Sequence, residues 1–250
     1  KFIQRTRGLK ITLSGNPCTK EMTALSRAIQ RNHGLRSIVI ESWKIGLASS
    51  LDHLAVLNKW CYQLEELKFS VNSSMKVPTE YSNTLDPLPN LRRLKRFTFH
   101  INNLAKIDCK HLELCFQKLR YLRKLEEIDV SVQALAACSP YHFQNVFLQS
   151  LSYLKNLKKI NGLQLFNSGD LFQALASVSP QLSKFEETKI SLSSNIKWTD
   201  LQELLNSGFQ LPRESSLIIE SQGTVDWAKV NFERLRSVKS LKLFANNKSA

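Results

Sequence analysis

The chain has 250 residues, of which 42% are hydrophobic, and it carries a formal net charge of +14. This composition is that of a folded protein rather than a disordered chain, and no apolar run approaches the roughly 18 residues that a membrane-spanning helix needs. The excess of positive charge favours an acidic partner, such as nucleic acid, an acidic protein surface or an anionic membrane.

A short phrase recurs nine times along the chain. It consists of an apolar residue, two free positions, an apolar-x-apolar pair, two further free positions and often an Asn. In chain order the apolar pairs are Ile11/Leu13, Ile38/Ile40, Leu67/Phe69, Phe97/Phe99, Ile128/Val130, Leu163/Leu165, Ile190/Leu192, Leu217/Ile219 and Leu241/Leu243. Successive pairs lie 24–35 residues apart, and a repeat of this length is typical of a solenoid.

Each apolar pair alternates with polar residues, which predicts a short, half-buried strand. Segments with helical spacing precede several of these strands; ahead of the third pair, Leu51, Leu54, Leu57 and Trp60 fall on one side of a predicted helix. This alternation predicts parallel strands that are covered by helices. Residues 71–90 contain three prolines and little periodicity, so we expect an irregular segment there.

The phrase resembles the leucine-rich repeat, L-x-x-L-x-L-x-x-N, and its unit lengths are similar to the longer, helix-containing, intracellular (ribonuclease-inhibitor-like) class. The Asn position is occupied by Asn16, Asn72, Asn102, Asn195 and Asn246. The resemblance implies an α/β leucine-rich-repeat solenoid of about nine repeats. It would have a curved parallel β-sheet on its concave side and helices on its convex side, as a single domain over residues 1–250. In the seventh unit, over 182–195, a second register two residues earlier, through Phe185 and Thr188, stays open.

Cysteine usage and the first residue bear on the setting of the chain. The five cysteines are odd in number, loosely spaced and without a C-x-x-C. This indicates a reducing compartment rather than a disulfide scaffold or a zinc site. We therefore expect an intracellular protein of the cytoplasm or nucleus. Because the sequence begins with Lys1 and lacks a polar cap at either end of the predicted solenoid, we expect it to be part of a longer chain.

The sequence contains no catalytic motif. H-E-x-x-H, G-x-S-x-G, a P-loop and G-x-G-x-x-G are all missing. Adjacent carboxylates such as Glu126 and Glu127 would face opposite sides of a strand and could not form one acid–base site. The sequence therefore predicts that the chain is not an enzyme and has no catalytic residue, cofactor, metal site or small-molecule substrate.

Residues that flank the inward pairs are expected on the concave face. Charges of both signs cancel there, and this mixture suits a protein partner better than a phosphate backbone. The predicted protein-binding residues are Val39, Glu66, Lys68, Arg96, Thr98, His100, Glu127, Asp129, Gln164 and Phe166.

The excess positive charge precedes the strands, at predicted helix C-termini and turns. The candidate residues are Arg92, Arg93, Lys95, Arg120, Arg123, Lys124, Lys155, Lys158 and Lys159. These cations could complement helix dipoles, at about 0.3–1 kcal/mol each. Alternatively, aligned along one edge of a solenoid, they could bind RNA or an acidic protein, with Tyr62, Tyr121 and Tyr153 available for stacking.

The predicted function is a non-catalytic protein–protein interaction scaffold or adaptor, as a subunit of a larger assembly. The resemblance to leucine-rich repeats implies this role. The alternative is an RNA- or ribonucleoprotein-binding subunit that uses the basic edge.

Overall fold

The computed structural model describes residues 7–14, 24, 27–32, 34–43, 62–72, 90–104, 116–134, 140–166, 185–193, 215–221, 233 and 238–245. Nine strands lie within these ranges: β1 (Gly8–Ser14), β2 (Ser37–Trp43), β3 (Glu66–Asn72), β4 (Arg96–Leu104), β5 (Glu127–Ala134), β6 (Lys159–Phe166), β7 (Glu187–Ser193), β8 (Ser216–Ser221) and β9 (Ser240–Ala245). Helix α1 spans Pro140–Leu151, and residues 27–30 and 116–119 are also helical. The predicted helix ahead of β3 and most of the predicted irregular segment lie outside the described residues.

The nine strands form one sheet in which every strand pairs in parallel with the next strand along the chain, from β1 to β9. Parallel neighbours require a crossover between them, and α1 belongs to the crossover between β5 and β6. The chain is therefore of the α/β class with a parallel sheet, as its sequence predicts.

The hydrogen-bond ladder between repeats begins one residue ahead of each strand. The carbonyl of Arg36 accepts the N–H groups of Glu65 and Glu66, at 2.8 and 2.9 Å. The carbonyl of Glu65 accepts those of Lys95 and Arg96 in the same way, at 2.8 and 3.0 Å. The same pattern occurs at the carbonyls of Arg7, Lys95, Glu126 and Lys158. Because it satisfies equivalent backbone groups in successive units, it fixes which residues are equivalent.

One face of the sheet is apolar and buried. Its two rows across the strands are Ile38, Leu67, Phe97, Ile128 and Ile160, and then Ile40, Phe69, Phe99 and Val130. The ring of Phe116, from the helical residues 116–119, lies edge-on to Phe99 at 6.3 Å and to Phe147 of α1 at 5.1 Å. Helical residues thus cover this face, and the burial of large aromatic side chains there is a principal source of stability.

The first strand corrects the predicted register. Leu9 pairs with Ile38 and Ile11 pairs with Ile40, so the pair that continues the apolar rows is Leu9/Ile11 and the prediction of Ile11/Leu13 was wrong. Leu9, Ile11 and Leu13 all fall on the same side of a period-two strand, and a shift by two residues leaves that pattern unchanged.

The sixth unit also corrects the predicted register. Ile160 pairs with Ile128 and is fully buried, and the register then shifts between Ile160 and Leu163. The predicted pairs of units six to nine are in register with one another, since Leu163 pairs with Ile190, Ile190 with Leu217 and Leu217 with Leu241. Relative to the row that reaches Ile160, however, Leu163 lies three residues too late. In the seventh unit Thr188 pairs with Ile160 and is fully buried, and Phe185 is buried as well. The earlier of the two open registers is the one that continues the first apolar row.

Candidate functional site

The opposite side of the sheet, called here the polar face, carries three rows of half-buried or exposed residues. They are Ser37, Glu66, Arg96, Glu127, Lys159 and Glu187; Lys10, Val39, Lys68, Thr98, Asp129 and Asn161; and Thr12, Glu41, Ser70, His100 and Ser131. Each alternates along its strand with residues of the buried rows, so the period of two separates the faces.

The polar face brings together most of the predicted protein-binding residues. Val39, Glu66, Lys68, Arg96, Thr98, His100, Glu127 and Asp129 lie on neighbouring strands β2 to β5. Gln164 and Phe166 lie in β6, where their backbones pair with Ser191 and Ser193. The side chains of these two residues are outside the described part of the chain.

The first row of the polar face alternates in charge from β3 to β7: Glu66, Arg96, Glu127, Lys159 and Glu187. Arg96 Nη2 lies 3.3 Å from Glu66 Oε2, and Lys159 Nζ lies 3.4 Å from Glu187 Oε2. Neutral donors complete the pattern: Ser37 Oγ donates to Glu66 at 2.8 Å, and Asn161 Nδ2 donates to Glu127 at 2.9 Å. Opposite charges on neighbouring strands stabilise the pairing of those strands.

A second alternating row stands one residue earlier in each repeat: Arg36, Glu65, Lys95, Glu126, Lys158 and Glu186. Glu65 lies between two cations, since Arg36 Nη1 and Lys95 Nζ each approach one of its oxygens at 3.1 Å. Lys158 Nζ lies 3.8 Å from Glu186 Oε1. We call this row and the first row of the polar face the doublet rows, because acidic and basic doublets alternate from repeat to repeat.

The doublet rows perturb two carboxyl groups. The hydrogen bond from Lys95 is the main cause that lowers the pKa of Glu65, and the charges of Lys95, Arg36 and Arg93 act in the same direction. The hydrogen bond from Ser37 is the main cause that lowers the pKa of Glu66, followed by that from Arg96. Both carboxylates therefore stay ionised to a lower pH than free glutamate does.

His100 and Asp129 make a further contact on the polar face, with His100 Nε2 2.9 Å from Asp129 Oδ1. About 30% of each side chain is exposed, so a partner could reach both. Within the described ranges no group of three or more His, Cys, Asp and Glu side chains is arranged to hold a metal ion.

A second surface, called here the basic edge, is formed by turns ahead of β3 to β6. Its exposed residues are Tyr62, Arg92, Arg93, Arg120, Tyr121, Arg123, Lys124, Tyr153 and Lys155. The ladder makes Glu65, Lys95, Glu126 and Lys158 equivalent. The positions three residues earlier are therefore equivalent too, which aligns Tyr62, Arg92, Arg123 and Lys155 across four repeats.

The predicted basic residues thus fall into two groups. Lys95, Lys158 and Lys159 belong to the doublet rows and lie within 4 Å of glutamates. Arg92, Arg93, Arg120, Arg123, Lys124 and Lys155 make no salt bridge within the residues that the structure describes. The sequence analysis missed this division. The signal was present, because Glu65/Glu66, Lys95/Arg96, Glu126/Glu127, Lys158/Lys159 and Glu186/Glu187 alternate in sign.

The helix-dipole interpretation fails for the cations ahead of β6. Helix α1 ends at Leu151 and has no basic residue in its last turn. Lys155, Lys158 and Lys159 lie beyond that end, whereas the stabilisation of a helix by cations falls off within the last turn. Cross-strand pairing accounts for Lys158 and Lys159, and Lys155 remains as an exposed cation.

Among the described helices, none combines the length and the apolar character that crossing a membrane requires.

Comparisons with known proteins identify no family for this chain. No protein-family model matches the chain, and no curated protein matches it in sequence. One solved structure with some likeness is type I 3-dehydroquinate dehydratase from Clostridium difficile, which is 13% identical, with 94% of this chain and 83% of that chain covered and a TM-score of 0.28. That protein is an enzyme, so the prediction that this chain is not an enzyme is corrected and withdrawn. A likeness at this TM-score assigns neither a fold nor a substrate nor a catalytic residue.

Proposed function

We propose that the chain is a leucine-rich-repeat solenoid whose polar face binds another protein, as a scaffold or adaptor in a larger assembly. The observation that carries this proposal is the balance of charge on that face. Lys10, Lys68, Arg96 and Lys159 stand against Glu41, Glu66, Glu127, Asp129 and Glu187, which sums to −1 with His100 neutral. A nearly neutral surface on a chain of net charge +14 suits a protein better than a phosphate backbone.

Two features favour an open solenoid over a closed barrel. Strand pairing runs from β1 to β9, and within the described residues β9 does not pair back to β1. The interior of an eight-stranded barrel is filled by packed layers of branched apolar side chains. Here the face opposite the helices carries charged side chains such as Lys10, Glu41 and Arg96, which are 62%, 23% and 57% exposed. Solvated charges of this kind fit a face that is open to a partner.

The doublet rows prepare the polar face for binding. Arg96 is held by Glu66, which is itself held by Ser37, so less side-chain entropy is lost when a partner contacts it. Arginine is among the residues that contribute most to interfaces. Lys68 and Val39 lie on the adjacent strands and add one charged and one apolar contact. Because the five cysteines lack paired spacing, we propose the cytoplasm or nucleus as the setting.

Affinity purification from native extract, with and without nuclease, tests this proposal. The variant Lys68→Ala/Arg96→Ala should lose a nuclease-resistant protein that co-purifies with the unmodified chain. Arg93→Ala/Lys155→Ala is a matched control, since it also removes two cations but leaves the polar face intact. Retention of the partner by the polar-face variant, or equal loss in both variants, would contradict the proposal. Thermal unfolding of both variants shows whether the fold is intact.

A further inference from the structure

The basic edge differs from the doublet rows, because its six cations have no acidic residue among them, although the charge of Arg93 also acts on Glu65 of the doublet rows. Arg92, Arg93, Arg120, Arg123, Lys124 and Lys155 are all exposed, and none makes a salt bridge within the part of the chain that the structure describes. Their six positive charges lie on turns of three successive repeats. An unbalanced row of this kind attracts a polyanion.

The backbone holds these cations in a fixed array. Each turn closes through the hydrogen bonds Leu94 N–H to Leu91 O, Leu125 N–H to Leu122 O and Leu157 N–H to Leu154 O, at 2.9–3.1 Å. Asn156 Nδ2 donates to the carbonyl of Arg123 at 2.7 Å and so joins two adjacent turns. Neighbouring strands lie about 4.8 Å apart, so equivalent positions of successive turns recur at a short and regular interval.

Exposed aromatic rings stand among the cations. Tyr62, Tyr121 and Tyr153 are 55%, 46% and 59% exposed, so their rings are accessible to a ligand. The guanidinium carbon of Arg120 lies 4.9 Å from the centroid of the Tyr121 ring, and its Nη2 donates to the Tyr121 hydroxyl at 2.8 Å. Unpaired bases stack on aromatic rings and on guanidinium planes.

We propose that the basic edge binds a single-stranded nucleic acid. Phosphates contact the row of Arg92, Arg123 and Lys155, and bases stack on Tyr121 and Tyr153. An acidic peptide would satisfy the cations but would leave the tyrosine faces unused, and a duplex keeps its bases stacked inside. This surface is separate from the polar face, so this inference does not depend on the proposed protein-binding function.

Fluorescence anisotropy tests the inference with three labelled probes of about 12 units, within the range of single-strand site sizes: oligouridine RNA, oligothymidine DNA and oligoglutamate. Binding is measured between about 50 and 200 mM salt, where phosphate contacts change affinity steeply. The edge variant is Arg92→Gln/Arg123→Gln/Lys155→Gln. Its matched control, Lys10→Gln/Lys68→Gln/Arg96→Gln, removes the same charge from the polar face. The stacking variant is Tyr121→Ala/Tyr153→Ala.

The unmodified chain should bind oligouridine, or both oligouridine and oligothymidine, more tightly than it binds oligoglutamate. The edge variant should flatten the salt slope by about 0.7 for each lost phosphate contact, whereas the control should keep the slope. The stacking variant should weaken binding at least about fivefold per tyrosine with an unchanged slope. Absence of saturable oligonucleotide binding, tighter binding of oligoglutamate, or equal losses in the edge variant and its control would overturn the inference. Circular dichroism of each variant confirms that it is folded.

Discussion

The doublet rows and the basic edge contain the same residue types in the same repeats, but their cations have different surroundings. In the turn before β4, Lys95 and Arg96 meet Glu65 and Glu66 of the preceding repeat. Arg92, only three residues earlier, makes no salt bridge with a described carboxylate. A cation forms a salt bridge when the equivalent residue of a neighbouring repeat is acidic and stays available when it is not, because equivalent residues lie side by side across parallel strands.

This difference also locates part of the net charge of +14. The row from Arg36 to Glu186 has three cations and three anions, and the row from Glu66 to Glu187 has two cations and three anions. The doublet rows therefore sum to −1, whereas the cations of the basic edge sum to +6. Position relative to the strand, rather than the overall composition, separates a neutral surface from a strongly basic one.

The largest loss of stability is expected from a substitution in the buried apolar rows of the sheet. Phe97→Ala should lower the free energy of unfolding by about 3–5 kcal/mol, because it removes a ring that is 2% exposed and leaves a cavity. The neighbouring residue, Thr98, lies on the polar face, and Thr98→Ala should cost less than about 1 kcal/mol. Urea unfolding measures both values, and similar costs would show that the two faces are assigned wrongly.

A reversal of charge in the doublet rows should have the next largest effect. Glu126→Lys/Glu127→Lys places like charges beside Lys95, Arg96, Lys158 and Lys159, and should destabilise the fold by about 1–2 kcal/mol at low salt. Added salt should reduce this cost by screening. Arg123→Glu/Lys124→Glu reverses two cations of the basic edge in the same repeat and should change stability by less than about 0.5 kcal/mol. If the second variant proves as unstable as the first, the distinction between paired and unpaired cations fails.

A smaller effect is expected where a polar side chain joins two turns of the basic edge. Asn156 is equivalent to Arg93 and Lys124, but its side chain donates to the carbonyl of Arg123 rather than projecting as a charge. Asn156→Ala should cost about 0.5–1.5 kcal/mol for the lost hydrogen bond. Lys124→Ala should lower the free energy of unfolding by less than Asn156→Ala does, as measured by urea unfolding. A larger loss in Lys124→Ala would contradict the structural role of Asn156.

The smallest effect is a pH dependence of the doublet rows. The pKa values of Glu65 and Glu66 are lowered from 4.5, so the stabilisation by these carboxylates is fully present above pH 4.5 and is lost as the pH falls through the lowered values. Glu65→Gln/Glu66→Gln should therefore be less stable than the unmodified chain at neutral pH, and the gap should narrow in acid. A gap that widens below pH 4.5 would show that the signs of the two pKa shifts are wrong.

The sequence predicts the middle of the sheet well, for a physical reason. In units two to five, a leucine stands three residues before the first apolar residue of each strand (Leu35, Leu64, Leu94 and Leu125), and all four are buried. This additional contact distinguishes the true register from one shifted by two residues. In the first unit, Leu9, Ile11 and Leu13 offer two equivalent registers. The sixth unit keeps a buried leucine, Leu157, three residues before Ile160, but Gly162 stands where the second apolar residue is expected, and the register shifts before Leu163.

The sequence predicts the polar face and the basic edge to different degrees. Period-two alternation alone indicates that Lys68, Arg96 and Asp129 share a face. The separation of Lys95 from Arg92 is not visible within one repeat, because it depends on Glu65 in the repeat before. It becomes visible when the repeats are aligned by their buried leucines.

The most direct test of an open polar face is its reactivity towards a bulky reagent. Thr98→Cys places a thiol in the middle of the polar face, and Arg123→Cys places one on the exposed basic edge. Each variant is treated under native conditions with a maleimide that carries a polyethylene glycol chain, and the unmodified chain serves as the background for its own cysteines. Both variants should gain a label at comparable rates. Labelling of Thr98→Cys only after denaturation, while Arg123→Cys reacts in the native state, would mean that the face is enclosed and would contradict an open interaction surface.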